Sequence, residues 1–191
     1  MNQELVTLGA EWTDIPEEAT HFVAGTWSRT DKFLRYIASA PHIVTRDWID
    51  ACVEKKDKRV DATRYFLKDT RKEKELKESL ADVLARAKAG KVFQDRRFFI
   101  TKNARTDRVS LEQLKLYVEL SGGSVSNASL DEDPNGILED DNCVIISHKD
   151  DRRTCYTLAK GGKQIYSITA VLDAIMVQRF DRGFVAKNFV K

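Results

Sequence analysis

Two short apolar runs, His21-Phe22-Val23-Ala24 and Cys143-Val144-Ile145-Ile146, stand 122 residues apart measured from Phe22 to Val144, and the pattern after each run repeats. After the first, Thr30 or Asp31 can cap a helix whose apolar positions are Phe33, Leu34, Ile37 and Ala38, and Pro41 stops it. His42-Ile43-Val44 reads as the next strand, and Thr45 caps a helix with Trp48, Ile49, Cys52 and Val53 on one face. After the second run, Tyr156-Thr157-Leu158-Ala159 lies on a helix that ends at Gly161-Gly162. Strand Ile165-Tyr166 and a helix from Ser167 through Leu172, Ile175 and Met176 come next. Ile49-Asp50-Ala51-Cys52-Val53 aligns with Leu172-Asp173-Ala174-Ile175-Met176 at an offset of 123 residues. Gly9-Ala10 aligns with Gly122-Gly123 at 113, a longer acidic loop in the second copy taking up the difference. Strands that alternate with helices pair in parallel. A chain built this way is a tandem repeat of one small α/β unit, which excludes a single doubly wound sheet.

Between the copies the pattern changes. From Asp69 the chain is densely charged, with Leu76, Leu80, Val83, Leu84 and Ala87 at helical spacing up to Gly90. This predicts one amphipathic connecting helix with a narrow apolar stripe. The second copy then opens with strand Phe98-Phe99-Ile100-Thr101, a helix marked by Leu111, Leu114, Leu116, Val118 and Leu120, and a short strand at Ser124-Val125-Ser126. Asp131 to Gly136 reads as a polar loop. The expected boundaries are 1–68 for the first repeat, 69–91 for the connecting helix and 92–191 for the second repeat.

Hydrophobic residues make up 42% of the 191, enough for a core in each copy. No apolar run nears the ~20 residues that span a bilayer, and Met1–Ala10 lacks a basic leader, so a soluble intracellular protein is expected. The three cysteines and three histidines are scattered, without a disulfide framework or a zinc motif. Net charge is −3 over 1–45, +7 over 46–108, −8 over 112–151 and +6 over 152–191. Such blocks are solvated surface or contacts for local anionic partners. No nucleophile triad, phosphate-binding loop or dinucleotide fingerprint occurs, so no enzyme, cofactor or small-molecule substrate is expected.

The stretch Leu8-Gly9-Ala10, then Thr20-His21-Phe22-Val23-Ala24, then Arg29-Thr30-Asp31-Lys32-Phe33-Leu34 and finally His42-Ile43-Val44-Thr45-Arg46-Asp47-Trp48-Ile49 resembles the BRCT family. With the second copy included, the resemblance is to a tandem BRCT pair of the PTIP type and its fungal genome-maintenance relatives. Gly122-Gly123 fits the second copy, where Val171 stands at the expected place of the tryptophan. The resemblance implies two repeats, each a small parallel sheet flanked by helices. It also implies a first strand a dozen residues before Leu5–Gly9, ending in a Ser/Thr-Gly pair that donates to phosphate. That strand is not in the sequence, so the first repeat reads as incomplete at its N-terminal side.

Members of this family imply a nuclear, non-catalytic reader of phosphoserine peptides in a DNA-damage-response scaffold. The expected ligand is the phosphorylated C-terminal histone tail at DNA breaks. Other repair proteins are expected partners, with chromatin reached indirectly and no membrane. Lys32 takes the family's phosphate-binding lysine; read without the resemblance, it is an ordinary exposed helix lysine. Arg29 would face the third residue after the phosphoserine and hold a free carboxylate, as a planar guanidinium does well, or is a solvated loop arginine. Leu34, Arg108 and Val109 would complete a peptide pocket, Leu34 being otherwise a plain core leucine. Trp48, Gly9 and Gly123 read as structural. Two other readings stay open. One is a phosphate-independent scaffold. The other is DNA-end binding through Arg64, Lys68, Arg71, Lys72, Arg96 and Arg97.

Overall fold

In the computed structural model, residues 3–39, 42–106 and 108–180 are described. They fall into two compact units, 1–88 and 89–191. Pro41, expected to stop a helix, lies outside the described residues.

Unit 1 starts with helix α1 (Gln3–Thr7), whose buried Leu5 joins the core. The chain leaves α1 through Gly9 at φ +82°, a left-handed conformation that suits glycine. Strand β1 (His21–Val23), helix α2 (Asp31–Ile37), strand β2 (His42–Val44) and helix α3 (Arg46–Lys55) come in the expected order. β1 and β2 pair in parallel, with Phe22 opposite Ile43. Val44, Trp48, Ile49, Cys52 and Ala62 pack with Leu5 as one core cluster. Trp48 is structural, as expected: it is 6% exposed, and its indole Nε1 donates to the Val60 carbonyl at 2.9 Å.

The connecting segment departs from the single helix read from its stripe. It forms two helices, α4 (Thr70–Leu76) and α5 (Leu80–Ala89), with Lys77 left-handed at φ 55° between them. Side chains near the break make a better start for a new helix than a continuation of the old one. Ser79 Oγ accepts from the Asp82 amide at 3.0 Å, Glu73 Oε1 accepts from the Leu80 amide at 3.1 Å, and Glu78 pairs with Arg86 at 2.8 Å. The Ser79-x-x-Asp82 cap is local chemistry that an apolar stripe running straight through it conceals.

Unit 2 holds strand β3 (Arg97–Ile100), helix α6 (Leu111–Leu120), strand β4 (Ser124–Val125), helix α7 (Pro134–Glu139), strand β5 (Cys143–Ile146), helix α8 (Arg152–Lys160), strand β6 (Ile165–Tyr166) and helix α9 (Ile168–Val177). The four strands among its described residues are all parallel, in the order β4-β3-β5-β6. The core packs Phe99, Ile145, Cys155, Leu158 and Ile165 with Ile137 of α7. That short helix replaces the polar loop expected at 131–136: Pro134 fixes its first position and Asp133 Oδ1 accepts from the Gly136 amide at 2.9 Å. Other acids of this block are also engaged, Glu132 accepting from the Ser129 amide and Asp140 pairing with Arg97 at 3.0 Å.

The duplication is visible in the caps. Thr45 and Ser167 precede α3 and α9, and Lys56 and Gln178 close them in the left-handed region, each pair 122 residues apart. This corrects the 123-residue offset read for the helix: Trp48 is matched by Ala170, and Val171 matches Ile49. Strand pairing sets Val23 opposite Val44 as Ile146 lies opposite Tyr166, so the 123-residue offset belongs to β1 and β5. Among the described residues unit 1 has no counterpart of β3 or β4. β1 therefore has one strand neighbour, whereas β5 has two.

Candidate functional site

Thr30 starts the site in unit 1. It is the N-cap of α2, with extended backbone (φ −84°, ψ 154°), and its Oγ1 accepts from the Phe33 amide at 3.3 Å. Ser28 Oγ lies 3.5 Å from the same oxygen. Lys32, two residues further on, is exposed in the first turn. Its Nζ lies 5.8 Å from the centroid of Tyr36, one helical turn on, a cation–π contact. Tyr36 is itself fixed, stacking on Phe22 at 4.9 Å and donating its hydroxyl to the Thr13 carbonyl at 2.9 Å.

Ser28, Thr30, Lys32, Phe22, Phe33 and Tyr36 line one groove of about 840 Å³ beside β1. It therefore brings a cation and two hydroxyls to a floor of buried rings, Phe22, Phe33 and Tyr36 being 8%, 1% and 3% exposed. Such a surface suits an anionic group carried on a chain with apolar side groups. Among the described residues no carboxylate is paired with Lys32, whereas Lys72 is paired with Glu75 at 2.7 Å.

Arg29 is exposed on the loop before Thr30. Partial loss of water around its guanidinium pushes its pKa down, and Glu75 of α4 pulls it back up. The loop is held by two residues that sequence reading passed over. Trp27 is buried, at 1% exposure, and its amide donates to Asp69 Oδ2 at 3.1 Å. Asp69 Oδ1 accepts from the Lys72 amide at 3.0 Å and so caps α4. These two amides, that of Lys72 first, hold the Asp69 carboxyl below its usual range against the cost of burial. The available signals were a tryptophan in an otherwise polar loop and an Asp-Thr pair ahead of a helix.

The other expected site residues are divided. Leu34 is 2% exposed, an interior residue that does not line the groove; Phe33 beside it does, though it is as deeply buried. Arg108 and Val109 lie in unit 2, on a tight turn in which both amides donate to Thr106 Oγ1, at 3.3 and 3.1 Å. They line a second concavity of about 840 Å³ together with Asn103, Arg105 and His148. Among the described residues there is no group of three or more metal-ligating side chains, and no helix is long and apolar enough to cross a membrane. Cys52, Cys143 and Cys155 are buried free thiols, pushed up in pKa by that burial. Of the cations considered for DNA, Arg97 is engaged by Asp140 and lies 5.3 Å from the Phe99 ring, Arg96 lies 5.0 Å from Phe180, and Lys72 is held by Glu75.

Comparison with known proteins matches each unit separately. Residues 1–67 match the family described as Regulator of Ty1 transposition protein 107 BRCT domain, and residues 91–183 match BRCT domain. PAX-interacting protein 1 of Bos taurus is 31% identical over 94% of the chain, which spans only 18% of that relative's length. The crystal structure of S. pombe Brc1 BRCT5-BRCT6 domains superposes with a TM-score of 0.88 at 27% identity, covering 100% of this chain and 93% of that one. The complex of Rtt107p with a phosphorylated histone has the same fold, with a TM-score of 0.63 at 14% identity, 96% of this chain and 83% of that one being covered.

Proposed function

The chain belongs to the BRCT family as a tandem pair of repeats, and from that premise we propose that it is a non-catalytic reader of phosphoserine peptides. The observation that carries the proposal is Lys32, exposed in the first turn of α2 beside the hydroxyls of Thr30 and Ser28 on one groove. A phosphoserine dianion takes its ammonium and hydroxyl donors there, and Arg29, on the same loop, receives a carboxylate further along the peptide. The preferred ligand is a phosphorylated C-terminal histone tail marking DNA breaks. Support comes from the similarity to Rtt107p, whose complex holds a phosphorylated histone, and to Brc1. The protein would then work in the nucleus as part of a DNA-repair scaffold, with chromatin and other repair proteins as its partners.

A second reading is a scaffold that holds partner proteins without phosphate. Fluorescence titration with phosphorylated and unphosphorylated tail peptides, repeated on Lys32→Ala, separates the two. The reader binds only the phosphorylated peptide and loses it with Lys32; equal binding of both peptides sinks that proposal and leaves the scaffold.

A further inference from the structure

Asp151 occupies the same place in unit 2 as Thr30 in unit 1, the residue that caps the helix after the central strand. The two side chains behave differently. Thr30 bonds back to its own helix, whereas Asp151 makes no side-chain cap. Its carboxylate instead reaches the segment just after β3. Thr101 Oγ1 donates to Oδ2 at 2.6 Å, the Asn103 amide donates to the same oxygen at 3.1 Å, and Asn103 Nδ2 donates to Oδ1 at 2.6 Å. Ser147 Oγ stands 3.1 Å from the Thr101 hydroxyl and steadies it. The carboxylate is buried, Asp151 being 5% exposed, and Lys102 adds positive charge nearby. Burial alone would raise the Asp151 pKa; the donors of Thr101 and Asn103 outweigh it and keep the group ionised.

A hydroxyl, a backbone amide and a side-chain amide converging on two oxygens form an anion cradle. We propose that this cradle in unit 2 is an anion-binding site filled by the chain's own Asp151, which is thereby the residue that shuts unit 2 to phosphate. Asn103 also lines the concavity of about 840 Å³ that holds Arg105 and Arg108, which places one edge of the cradle on that concavity. With Asp151 in place, an incoming phosphate meets a fixed negative charge and donors that are already used. If unit 1 is the phosphate reader, Asp151 confines the chain to one phosphate per pair.

The test uses the full chain with Asp151→Ala and follows the Asn103 backbone and side-chain amides by NMR. Inorganic phosphate, and formate as a carboxylate-sized probe, are titrated at constant ionic strength. The variant is expected to show saturable shifts at both Asn103 amides, at least about tenfold tighter than any response of the parent chain. Its melting temperature should rise with either anion, while that of the parent does not move differentially. Should the variant be unfolded in anion-free buffer, formate or phosphate should refold it. A folded variant without saturable Asn103 shifts, an unfolded one that neither anion restores, or a parent that responds equally overturns the proposal. Failure of the unit 1 proposal registers elsewhere, as peptide binding indifferent to Lys32→Ala, and leaves the Asn103 readout unaffected.

Discussion

The amide of Trp27 and the carboxylate of Asp69 meet at 3.1 Å across 42 residues of sequence, tying the loop that carries Arg29 to the start of α4. The other oxygen of the same carboxylate caps that helix. Asp69→Ala removes both contacts at once. It should cost about 1–2 kcal/mol by denaturant unfolding, the range of a lost helix cap with a further buried amide left unpaired. Amide hydrogen exchange should speed up at Trp27 and Lys72 together. Faster exchange at Lys72 alone would show that the two segments are not coupled through this residue.

Lys32→Ala should weaken binding of a phosphoserine peptide by about ten- to a hundredfold, the loss expected for one charge-assisted hydrogen bond. Affinity for the unphosphorylated peptide should not change. Lys32→Arg should retain a substantial part of the binding, and that binding should decline with added salt. Isothermal titration at two ionic strengths measures all of this.

The imidazole of His21 stacks on Trp48 at 4.1 Å and 9°, with His42 of the neighbouring strand 5.1 Å away. Burial first, and His42 second, push the His21 pKa below 6.5. The fold therefore favours neutral His21. Its contribution to stability is whole above 6.5, and falls as pH drops from there through the folded-state value, because the unfolded chain takes up the proton first. Melting temperature should decline as pH is lowered from about 7 toward about 5, with quenching of Trp48 fluorescence as the stacked ring becomes charged. His21→Phe keeps the stacking and should flatten that part of the profile; an unchanged profile would assign the decline to other groups.

A methyl group at Gly123 would lie 2.8 Å from both Phe98 and Val118, whereas one at Gly25 would meet nothing within 4 Å. Gly123→Ala should destabilise unit 2 by about 1–3 kcal/mol through overpacking, and Gly25→Ala should be silent or slightly stabilising. Thermal unfolding of both variants decides it; comparable losses would place the cost of Gly123→Ala in the backbone.

Much of this molecule could be read directly from its residues. Periodicity marked β1, β2, β5 and β6 and the helices that follow them, α2, α3, α8 and α9, because apolar spacing reflects which face of each element is buried. Thr30 and Ser167 marked helix starts, because a cap is satisfied within four residues of itself; Thr45 stands at the start of α3 without a side-chain bond to the helix. The repeat also came from linear order, and Lys32 was singled out by the resemblance to the BRCT family. What linear order could not contain was the pairing of distant polar groups. Asp69 with Trp27, and Asp151 with Thr101 and Asn103, are separated by 42, 50 and 48 residues, and nothing local to either partner calls for the other. The break at Lys77 was hidden because a stripe of apolar residues reports the face that is buried, not whether the backbone beneath it is continuous. The sequence by itself determined two α/β repeats and the cation at the head of α2, since both depend on neighbours in the chain. Only the tertiary structure decided which carboxylates are engaged inside the protein, because a buried charge is fixed by the donors that folding brings to it from elsewhere.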